Sequence, residues 1–240
     1  MLPTAGTGVC VKVPAGLRGD LASFAHMANI AFTAIRKSSI ELGDYVAITG
    51  MGAIGNLAAQ LAQLQGAWVV GIDINDIRLA IAQKSGIKHT FNSAKTSLAD
   101  GLKAFTQGAG VSTFIDASGM SAVVEQDMKN IAWNGEMILL GTPRAPYQSN
   151  LTDTLQKVHL LDNVQMKGAL EFSIPTHPSD FGKHSIERNV AIVMQLMKEG
   201  RLVVEPFYTH LMNPKDCQEA YDGLKNKQEE YVGVVFDWSK

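Results

Sequence analysis

A glycine-rich turn at residues 50–55 places the tightest constraint on how this chain folds. The turn has the spacing G-x-G-x-x-G, with an apolar, β-rich run directly before it and a helical pattern directly after it. In such a turn Gly50 permits the tight bend, Gly52 lets a phosphate approach the backbone, and Gly55 lets the helix pack closely on the sheet. The N–H groups at the start of the helix attract anions. The turn therefore predicts a strand–turn–helix unit that binds the pyrophosphate of a dinucleotide.

An acidic residue, Asp73, follows the next β-rich run at 68–72. A carboxylate there can accept hydrogen bonds from both hydroxyls of an adenosine ribose and repels a 2′-phosphate, so it favours NAD(H) over NADP(H). Arg78 lies one helical turn into the following helix and can reach the ribose or a phosphate, which keeps NADP(H) open as an alternative. A sheet of this type that binds no dinucleotide is a second alternative.

Short β-rich runs alternate with helical patterns through the middle of the chain. The runs that predict strands lie at 45–49, 68–72, 89–91, 111–115, 136–140 and 164–169. The patterns that predict helices lie at 53–65, 76–85, 95–106, 121–132 and 152–161. This alternation is typical of an α/β fold with a parallel, doubly wound sheet, and six strands in this rhythm fit the Rossmann order 3-2-1-4-5-6.

The two ends of the chain break this rhythm and predict a small lobe built from both termini. The elements expected there are helices at 21–37 and 185–199, a loop at 171–181, a helix beginning at Asn213-Pro214, and a strand at 231–236. The apolar face of the 185–199 helix is Ile186, Val190, Val193 and Met197, and the apolar stripe of the last helix is Cys217, Ala220, Tyr221 and Leu224. We expect three segments: a remnant segment and helix at 1–37, the dinucleotide-binding domain at 38–170, and the rest of the lobe at 171–240.

The composition excludes several classes of protein. Apolar residues make up 46% and charged residues 18%, and 21 Lys and Arg against 23 Asp and Glu give a formal net charge of −2. This charge provides no basic surface for nucleic acid, and no apolar run reaches the ~20 residues that a membrane span needs. The segment 1–6 lacks a basic stretch followed by an apolar core, so it is not a secretory signal. The two cysteines, Cys10 and Cys217, are far apart in sequence, so we expect reduced thiols and a cytoplasmic protein without nucleic-acid or membrane partners.

Several stretches besides the glycine turn resemble the zinc-type medium-chain dehydrogenase/reductase family, which includes alcohol and sorbitol dehydrogenases. They are similar to the family's lead into the cofactor domain, its first strand, its adenosine-binding turn, two loops beside the cofactor and its closing segment. In that order they lie at 11–17, 40–50, 73–79, 116–119, 139–143 and 233–238. The resemblance extends over nearly the whole chain.

The resemblance implies a function, a cofactor and a partner. Family members pass hydride between NAD(H) and an alcohol or carbonyl substrate. The residues that the resemblance assigns to NAD(H) are Gly50, Gly52, Ala53, Ile54, Gly55, Asp73, Ile74, Arg78, Ser118, Gly119, Gly141 and Thr142. In related enzymes the last strand of the sheet pairs across a two-fold axis, which implies a homodimer through 164–169.

The resemblance covers only the back two-thirds of a family member. The family's N-terminal catalytic region, which resembles the GroES fold and carries most zinc ligands and substrate contacts, has no counterpart in this sequence. The position of the family's third zinc ligand falls at Ala25 or His26, and one ligand does not make a metal site. Neither Cys10 nor Cys217 falls at a ligand position. We therefore assign no metal-binding residues and expect zinc to be absent, although the family uses it.

Four polar residues form a stripe on the otherwise apolar 21–37 helix: Ser23, His26, Asn29 and Thr33. In the family this helix lies near the nicotinamide. The stripe therefore either lines the active cleft, with His26 and Asn29 as catalytic candidates, or is a solvated face. Asp116, at the end of a predicted strand, either serves the cofactor or closes a turn.

Two functions are compatible with these features. The first is an alcohol dehydrogenase-like oxidoreductase, in which His26 or a partner chain would have to stabilise the alkoxide in place of zinc. The second is a catalytically silent NAD(H)-binding module, either a truncated product or one half of a split enzyme. The sequence leaves both open.

Overall fold

The structure is a computed structural model that describes residues 8–227 and 229–239, so the segment 1–6 discussed above lies outside the described residues. The helices are α1 (Gly19–Ala22), α2 (Ala25–Lys37), α3 (Ala53–Gln65), α4 (Asp76–Lys84), α5 (Leu98–Thr106), α6 (Ser121–Met128), α7 (Leu151–Gln156), α8 (Ile186–Lys198) and α9 (Cys217–Asn226). The strands are β1 (Tyr45–Thr49), β2 (Trp68–Asp73), β3 (His89–Asn92), β4 (Val111–Asp116), β5 (Ile131–Leu139), β6 (Gln165–Gly168), β7 (His210–Met212) and β8 (Val234–Phe236).

Six parallel strands form the main sheet in the order β3-β2-β1-β4-β5-β6, which confirms the predicted Rossmann topology. Strands β1 and β4 are buried along almost their whole length, as expected for a parallel sheet with helices on both faces. In the register of the sheet Thr49 lies beside Ile72 on one side and Asp116 on the other. The carboxyl ends of β1, β2 and β4 therefore meet at one edge, where ligands bind in sheets of this kind.

The boundary between α6 and β5 differs from the prediction. Helix α6 ends at Met128 and β5 begins at Ile131, so the prediction of helix through residue 132 and of a strand only from 136 was wrong. Asn134 adopts a left-handed conformation with φ 59° and donates its backbone N–H to the Asp162 carbonyl. This local bend lets the strand start early, although the apolar spacing of 121–132 favours a helix.

The helix predicted at 21–37 is interrupted. Helix α1 ends at Ala22 and α2 begins at Ala25. Phe24, which lies between them, is buried with its ring centroid 5.5 Å from that of Phe207 and 5.7 Å from that of Tyr208. Packing of this aromatic side chain takes precedence over the continuous helical pattern.

Two predicted helices in the second half of the sheet domain also change. The helix predicted at 95–106 begins only at Leu98, because Ser97 caps it through the backbone N–H of Asp100. The helix predicted at 152–161 consists of α7 followed by a π-helical turn at Lys157–Leu161.

The buried face of α9 matches the predicted stripe only in part. Asn213 accepts a hydrogen bond from the Lys215 N–H and starts the helical segment as expected. However, Cys217 is exposed and Tyr221 is 65% exposed. Ala220 of the predicted stripe is buried and Leu224 is half-buried, but Gly223 is buried as well, because the ring of Tyr231 packs so closely on it that a Cβ there would lie 2.5 Å from the ring. The buried side of the helix is therefore shifted from the predicted stripe towards Gly223 and away from Tyr221.

The chain divides into two compact units. Ala31–Leu170 contains the six-stranded sheet, whose core includes Ala47, Phe114 and Met137. The described residues of Met1–Ile30 and Glu171–Lys240 form the other unit, in which β7 and β8 pair in parallel and the predicted face of α8 is buried. None of the described helices combines the length and the apolar character that crossing a membrane demands.

Candidate cofactor-binding site

The backbone of the glycine turn has the geometry that the spacing predicts. Gly50 has φ +96°, a conformation that favours glycine, and donates its N–H to the Ile72 carbonyl at 2.8 Å. A Cβ on Gly55 would lie 1.8 Å from the Gly50 carbonyl oxygen, so the start of α3 is pressed against the turn. Among the described residues, no atom lies within 4 Å of the position that a Cβ on Gly52 would take. The space over Gly52 is therefore open, as close approach of a pyrophosphate requires.

The start of α3 lies directly beside that open space. Ala53 and Ile54 form its first turn, and Gly52 at the N-cap supplies no side chain to accept from the N–H groups there. Helix N-termini attract anions through such N–H groups and through the helix dipole. The cradle around Gly52 thus fits a phosphate group in both shape and electrostatics.

The Asp73 carboxylate is built into the turn. Asp73 is buried at the end of β2, and its Oδ2 accepts the N–H of Met51 at 2.7 Å while its Oδ1 accepts the N–H of Asn75 at 2.9 Å. Each carboxylate oxygen can accept more than one hydrogen bond, so both retain capacity for ribose hydroxyls. The contact with Met51 was not foreseen from the sequence, because residue type carries no signal for a bond made by a backbone N–H.

Of the two other residues predicted near Asp73, Arg78 faces its carboxylate and Ile74 is exposed to solvent. The Arg78 guanidinium is 3.8 Å from Asp73 Oδ2, close enough for an ion pair. The Ile74 side chain is largely exposed beside it. Asn75 caps α4 by accepting from the N–H groups of Ile77 and Arg78. This cap fixes the backbone that carries Asp73 and Arg78.

The loops after β4 and β5 pack directly on the glycine turn. The Asp116 carboxylate accepts from the Ser118 N–H at 3.0 Å and from the Gly119 N–H at 3.2 Å, so Asp116 closes a turn. A Cβ on Gly119 would lie 2.4 Å from the Thr142 carbonyl oxygen, and one on Gly141 would lie 2.3 Å from the Gly119 nitrogen. A Cβ on Gly50 would lie 3.0 Å from the Ser118 nitrogen. The structure thus brings the predicted residues of the three loops into backbone contact.

The predicted polar stripe, which begins at Ser23 just before α2, is solvated only in part. Asn29 and Thr33 are fully buried, whereas Ser23 and His26 are exposed. In the unit that contains Glu171, the Asn29 Nδ2 donates to Glu171 Oε1, and the His26 Nδ1 lies 3.6 Å from the same oxygen. Glu171 is only 7% exposed. It was missed because a single carboxylate after a strand carries no periodic signal. A catalytic role for His26 and Asn29 stays a prediction.

The described residues contain no group of three or more His, Cys, Asp or Glu side chains placed to hold a metal ion. His26 and Glu171 are two adjacent candidate ligands, which is fewer than the three protein ligands of a catalytic zinc site. Cys10 and Cys217 are both exposed and not in a disulfide. The residues described here therefore do not by themselves fit a zinc ion.

The six-stranded parallel sheet, with its glycine turn after β1 and a carboxylate at the end of β2, defines a fold of the Rossmann type. Residues 53–185 match the family described as zinc-binding dehydrogenase. The chain belongs to this family, which confirms the resemblance inferred from the sequence.

Individual relatives agree with this assignment. The chain is 27% identical over 231 residues to L-threonine 3-dehydrogenase of Coxiella burnetii, and the match covers 95% of this chain and 61% of that protein. It is 29% identical over 230 residues to the protein of the same name from Vibrio cholerae, with 95% and 60% covered. The chain thus spans about three-fifths of the length of these relatives.

Solved structures show the same fold. One is described as a short chain alcohol dehydrogenase of Escherichia coli CFT073 complexed with the cofactor NADH. It superposes with a TM-score of 0.79 at 17% identity, and the match covers 95% of this chain and 62% of that one.

Proposed function

We propose that this chain binds NAD(H) at the glycine turn and serves as a module of an oxidoreductase that acts on an alcohol or carbonyl group. The observation that carries the proposal is the open backbone surface over Gly52, between the tightly packed Gly50 and Gly55. Bound NAD(H) supplies the hydride acceptor or donor. The N–H groups at the start of α3 hold the pyrophosphate, and the Asp73 carboxylate accepts hydrogen bonds from the adenosine ribose.

The charges around Asp73 support NAD(H) over NADP(H). Asp73 is buried and already accepts two backbone N–H groups, so its carboxylate is held in place at the end of β2. A 2′-phosphate at the ribose would face this fixed negative charge. Arg78 is the counter-charge that would accommodate such a phosphate, but its guanidinium lies 3.8 Å from the Asp73 carboxylate and is engaged there as its ion-pair partner. We therefore expect tighter binding of NADH than of NADPH.

A fluorescence titration with NADH and NADPH tests the cofactor. The wild-type chain should bind NADH at least tenfold more tightly than NADPH, a difference of about 1.4 kcal/mol. Asp73→Asn keeps an oxygen that can accept from Met51 but removes the charge, so the preference should shrink to a few-fold. Asp153→Asn, at an exposed position on α7, is the matched control and should bind like wild type. Equal affinity of the wild-type chain for both cofactors would contradict the assignment of Asp73.

Turnover tests the oxidoreductase part of the proposal. L-Threonine is the first substrate to assay, since two of the relatives are L-threonine 3-dehydrogenases. NADH formation from NAD and L-threonine, or NADH consumption with a panel of aldehydes and ketones, should be detectable and should disappear in Gly52→Ala. Tight NADH binding without turnover on any of these substrates would refute catalysis by this chain.

A catalytically silent NAD(H)-binding module is the second candidate. The observation that favours it is that every predicted cofactor residue lies within the single unit Ala31–Leu170. Such a unit can bind a dinucleotide without residues from elsewhere. The same titration and assay separate the two candidates, because only the oxidoreductase produces turnover.

We also propose a homodimer formed through β6. This strand lies at the edge of the six-stranded sheet, so no strand among the described residues pairs with one side of its backbone. Edge strands pair readily with another copy, and Met166 on β6 adds exposed apolar surface. Light scattering should give twice the chain mass for wild type, and Met166→Arg should shift the protein towards monomer. A wild-type mass of one chain would exclude this interface.

A further inference from the structure

A buried asparagine lies behind the segment that carries Asp73, and the proposed cofactor contacts do not use it. Asn92 is the last residue of β3, where it pairs with Asp73 at the end of β2, and it is only 7% exposed. A buried amide is costly to the fold unless its donors and acceptor are hydrogen-bonded. The partners of the Asn92 side chain therefore indicate what this residue does.

The Asn92 side chain holds the connection between β2 and α4. Its Nδ2 donates to the Ile74 carbonyl at 3.0 Å and to Asp76 Oδ1 at 2.8 Å. Its Oδ1 accepts the Ala94 N–H at 2.9 Å, within the turn that follows β3. Both donor positions of the amide are thus committed to the segment 74–76.

This segment in turn sets the direction of the Asp73 carboxylate. Asp73 Oδ1 accepts the Asn75 N–H at 2.9 Å, and Oδ2 accepts the Met51 N–H of the glycine turn. The Asp73 carbonyl accepts the Ser93 N–H at 3.1 Å, directly after Asn92. The chain after β3 therefore fixes both the backbone of Asp73 and the segment whose N–H group holds its carboxylate.

The charged groups beside Asn92 are an exposed addition to this arrangement. Asp76 Oδ2 lies 2.5 Å from the Lys95 ammonium, and both side chains are more than half exposed. The Lys95 ammonium, followed by the Asn92 amide, lowers the pKa of the Asp76 carboxyl, so Asp76 is an ionised acceptor at neutral pH. Exposed ion pairs contribute little to holding a structure. The buried Asn92 amide is therefore the stronger restraint on the segment.

A restraint on this segment matters for the choice between the two cofactors. If the segment could shift, the Asp73 carboxylate would move away from a 2′-phosphate, and the repulsion that disfavours NADP(H) would be relieved. A segment held in place keeps that repulsion. It also presents the carboxylate to the ribose hydroxyls without further ordering when NAD(H) binds.

We propose that Asn92 is a positioning residue for the adenosine end of the NAD(H) site: it holds the segment 74–76 so that the Asp73 carboxylate accepts the ribose hydroxyls and repels a 2′-phosphate. This inference rests on the proposed function, since it concerns the cofactor preference of the same site. It assigns Asn92 no contact with the cofactor.

The test is a fluorescence titration of wild type, Asn92→Ser and Thr106→Val with NADH and NADPH. Serine can still accept the Ala94 N–H, as serine hydroxyls do in such turns, but it lacks the amide donors. The preference of Asn92→Ser for NADH should fall from at least tenfold to about threefold. Thr106→Val is the matched control, because it removes a buried hydroxyl that accepts the Gly110 N–H just ahead of the amino end of β4. Its preference should equal that of wild type.

A double variant distinguishes positioning of Asp73 from a general structural role. If Asn92 acts through the Asp73 carboxylate, adding Asn92→Ser to Asp73→Asn should change the remaining preference by less than about twofold. A merely structural role would weaken binding of NADH and NADPH alike and leave the preference of Asn92→Ser at the wild-type value. That result, or a further loss of preference in the double variant, would overturn the inference.

An exposed partner of Asn92 decides the question if Asn92→Ser does not fold. Asp76→Ala removes one acceptor of the Asn92 amide, whereas Asp76→Asn keeps an oxygen there. Both release Lys95, so their difference isolates the bond to Asn92. The preference for NADH should be about twofold lower in Asp76→Ala than in Asp76→Asn. Equal preferences would refute the role of Asn92.

The outcomes separate this inference from the cofactor proposal. A wild-type chain that prefers NADH at least tenfold, with the same preference in folded Asn92→Ser, refutes the role of Asn92 alone. Failure of the wild-type chain to bind NADH refutes the cofactor proposal, and the role of Asn92 falls with it.

Discussion

The first and last glycines of the turn contribute to packing, whereas the middle one leaves space, and two single substitutions separate these roles. In Gly55→Ala the new Cβ would lie 1.8 Å from the Gly50 carbonyl oxygen and 3.1 Å from the Ala117 Cβ. The clash is with backbone that cannot rotate away, so we estimate a cost of about 3 kcal/mol. Alanine also gains about 1 kcal/mol over glycine inside a helix. The net destabilisation expected for Gly55→Ala is therefore about 2 kcal/mol.

Gly52→Ala should behave in the opposite way. Its Cβ would meet nothing within 4 Å, and its φ of −65° suits alanine, so only the weaker N-cap preference of alanine applies, about 0.5 kcal/mol. The same methyl group fills the surface that the pyrophosphate must approach, and the Kd for NADH should rise at least tenfold, equivalent to about 1.4 kcal/mol.

Urea unfolding followed by circular dichroism measures the first effect, and NADH fluorescence titration measures the second. Wild-type stability in Gly55→Ala would show that the helix and turn are not in contact as described. Wild-type NADH affinity in a folded Gly52→Ala protein would show that the pyrophosphate does not bind there.

Three further predictions concern stability. Burial raises the pKa of Asp127 to about 8 in the folded protein, so the stability that this acid contributes is fully present below its unfolded pKa and is lost as the pH rises towards 8. In urea unfolding, the stability of Asp127→Asn should therefore gain about 2 kcal/mol on that of wild type as the pH rises from 5 to 7. Parallel curves of stability against pH for the two proteins would contradict this prediction. Lys167→Met leaves the buried Glu136 without its cation and should lower the free energy of unfolding by about 2 kcal/mol, less than for a fully buried pair because Lys167 is partly exposed. Adding Glu136→Gln to this variant should recover part of the loss. A double variant less stable than Lys167→Met would contradict the ion pair. Asn75→Ala removes the cap of α4 and should lower the thermal midpoint, equivalent to a loss of about 1 kcal/mol of stability. Asn75→Ser should retain most of the stability, because serine can also cap a helix. Equal thermal midpoints for wild type and both variants would exclude the cap.

The sheet and its glycine turn were predictable because they depend on local patterns. Buried parallel strands appear as short apolar runs, and Gly50, with its positive φ, marks a bend whose backbone conformation few other residues adopt. The order of the strands followed from the alternation of strand and helix, since crossovers in such sheets have one hand.

The errors arose where contacts between distant residues decide the structure. The left-handed Asn134 is tied to the Asp162 carbonyl, and Phe24 packs on Phe207, which no window of local sequence reveals. Tyr221 was assigned to the apolar stripe because its spacing is helical, yet the contact of the Tyr231 ring with Gly223 shifts the buried side of α9 away from Tyr221.

Only those residues of the candidate site that lie in local sequence patterns could be predicted. The residues that would surround the cofactor follow strand ends and carry recognisable spacing. The acid Asp127 and the carboxylate Glu171 carry none, because their properties come from burial and from partners remote in sequence. Such residues are found only when the packing around them is known.

The bond from the Met51 N–H to Asp73 Oδ2 has a consequence for redesign of cofactor preference. Replacing the acid at the end of β2 by a small neutral residue is the direct way to admit a 2′-phosphate, but here it would also remove the acceptor that fixes the backbone between Gly50 and Gly52. In the proposed NAD(H) site, cofactor selectivity and rigidity of the turn are therefore coupled through the Asp73 side chain. An engineered NADP(H) form would need a neutral acceptor of similar length in place of Asp73. The added positive charge would be introduced at Ile74, whose apolar side chain is exposed and forms no hydrogen bond that the substitution would remove.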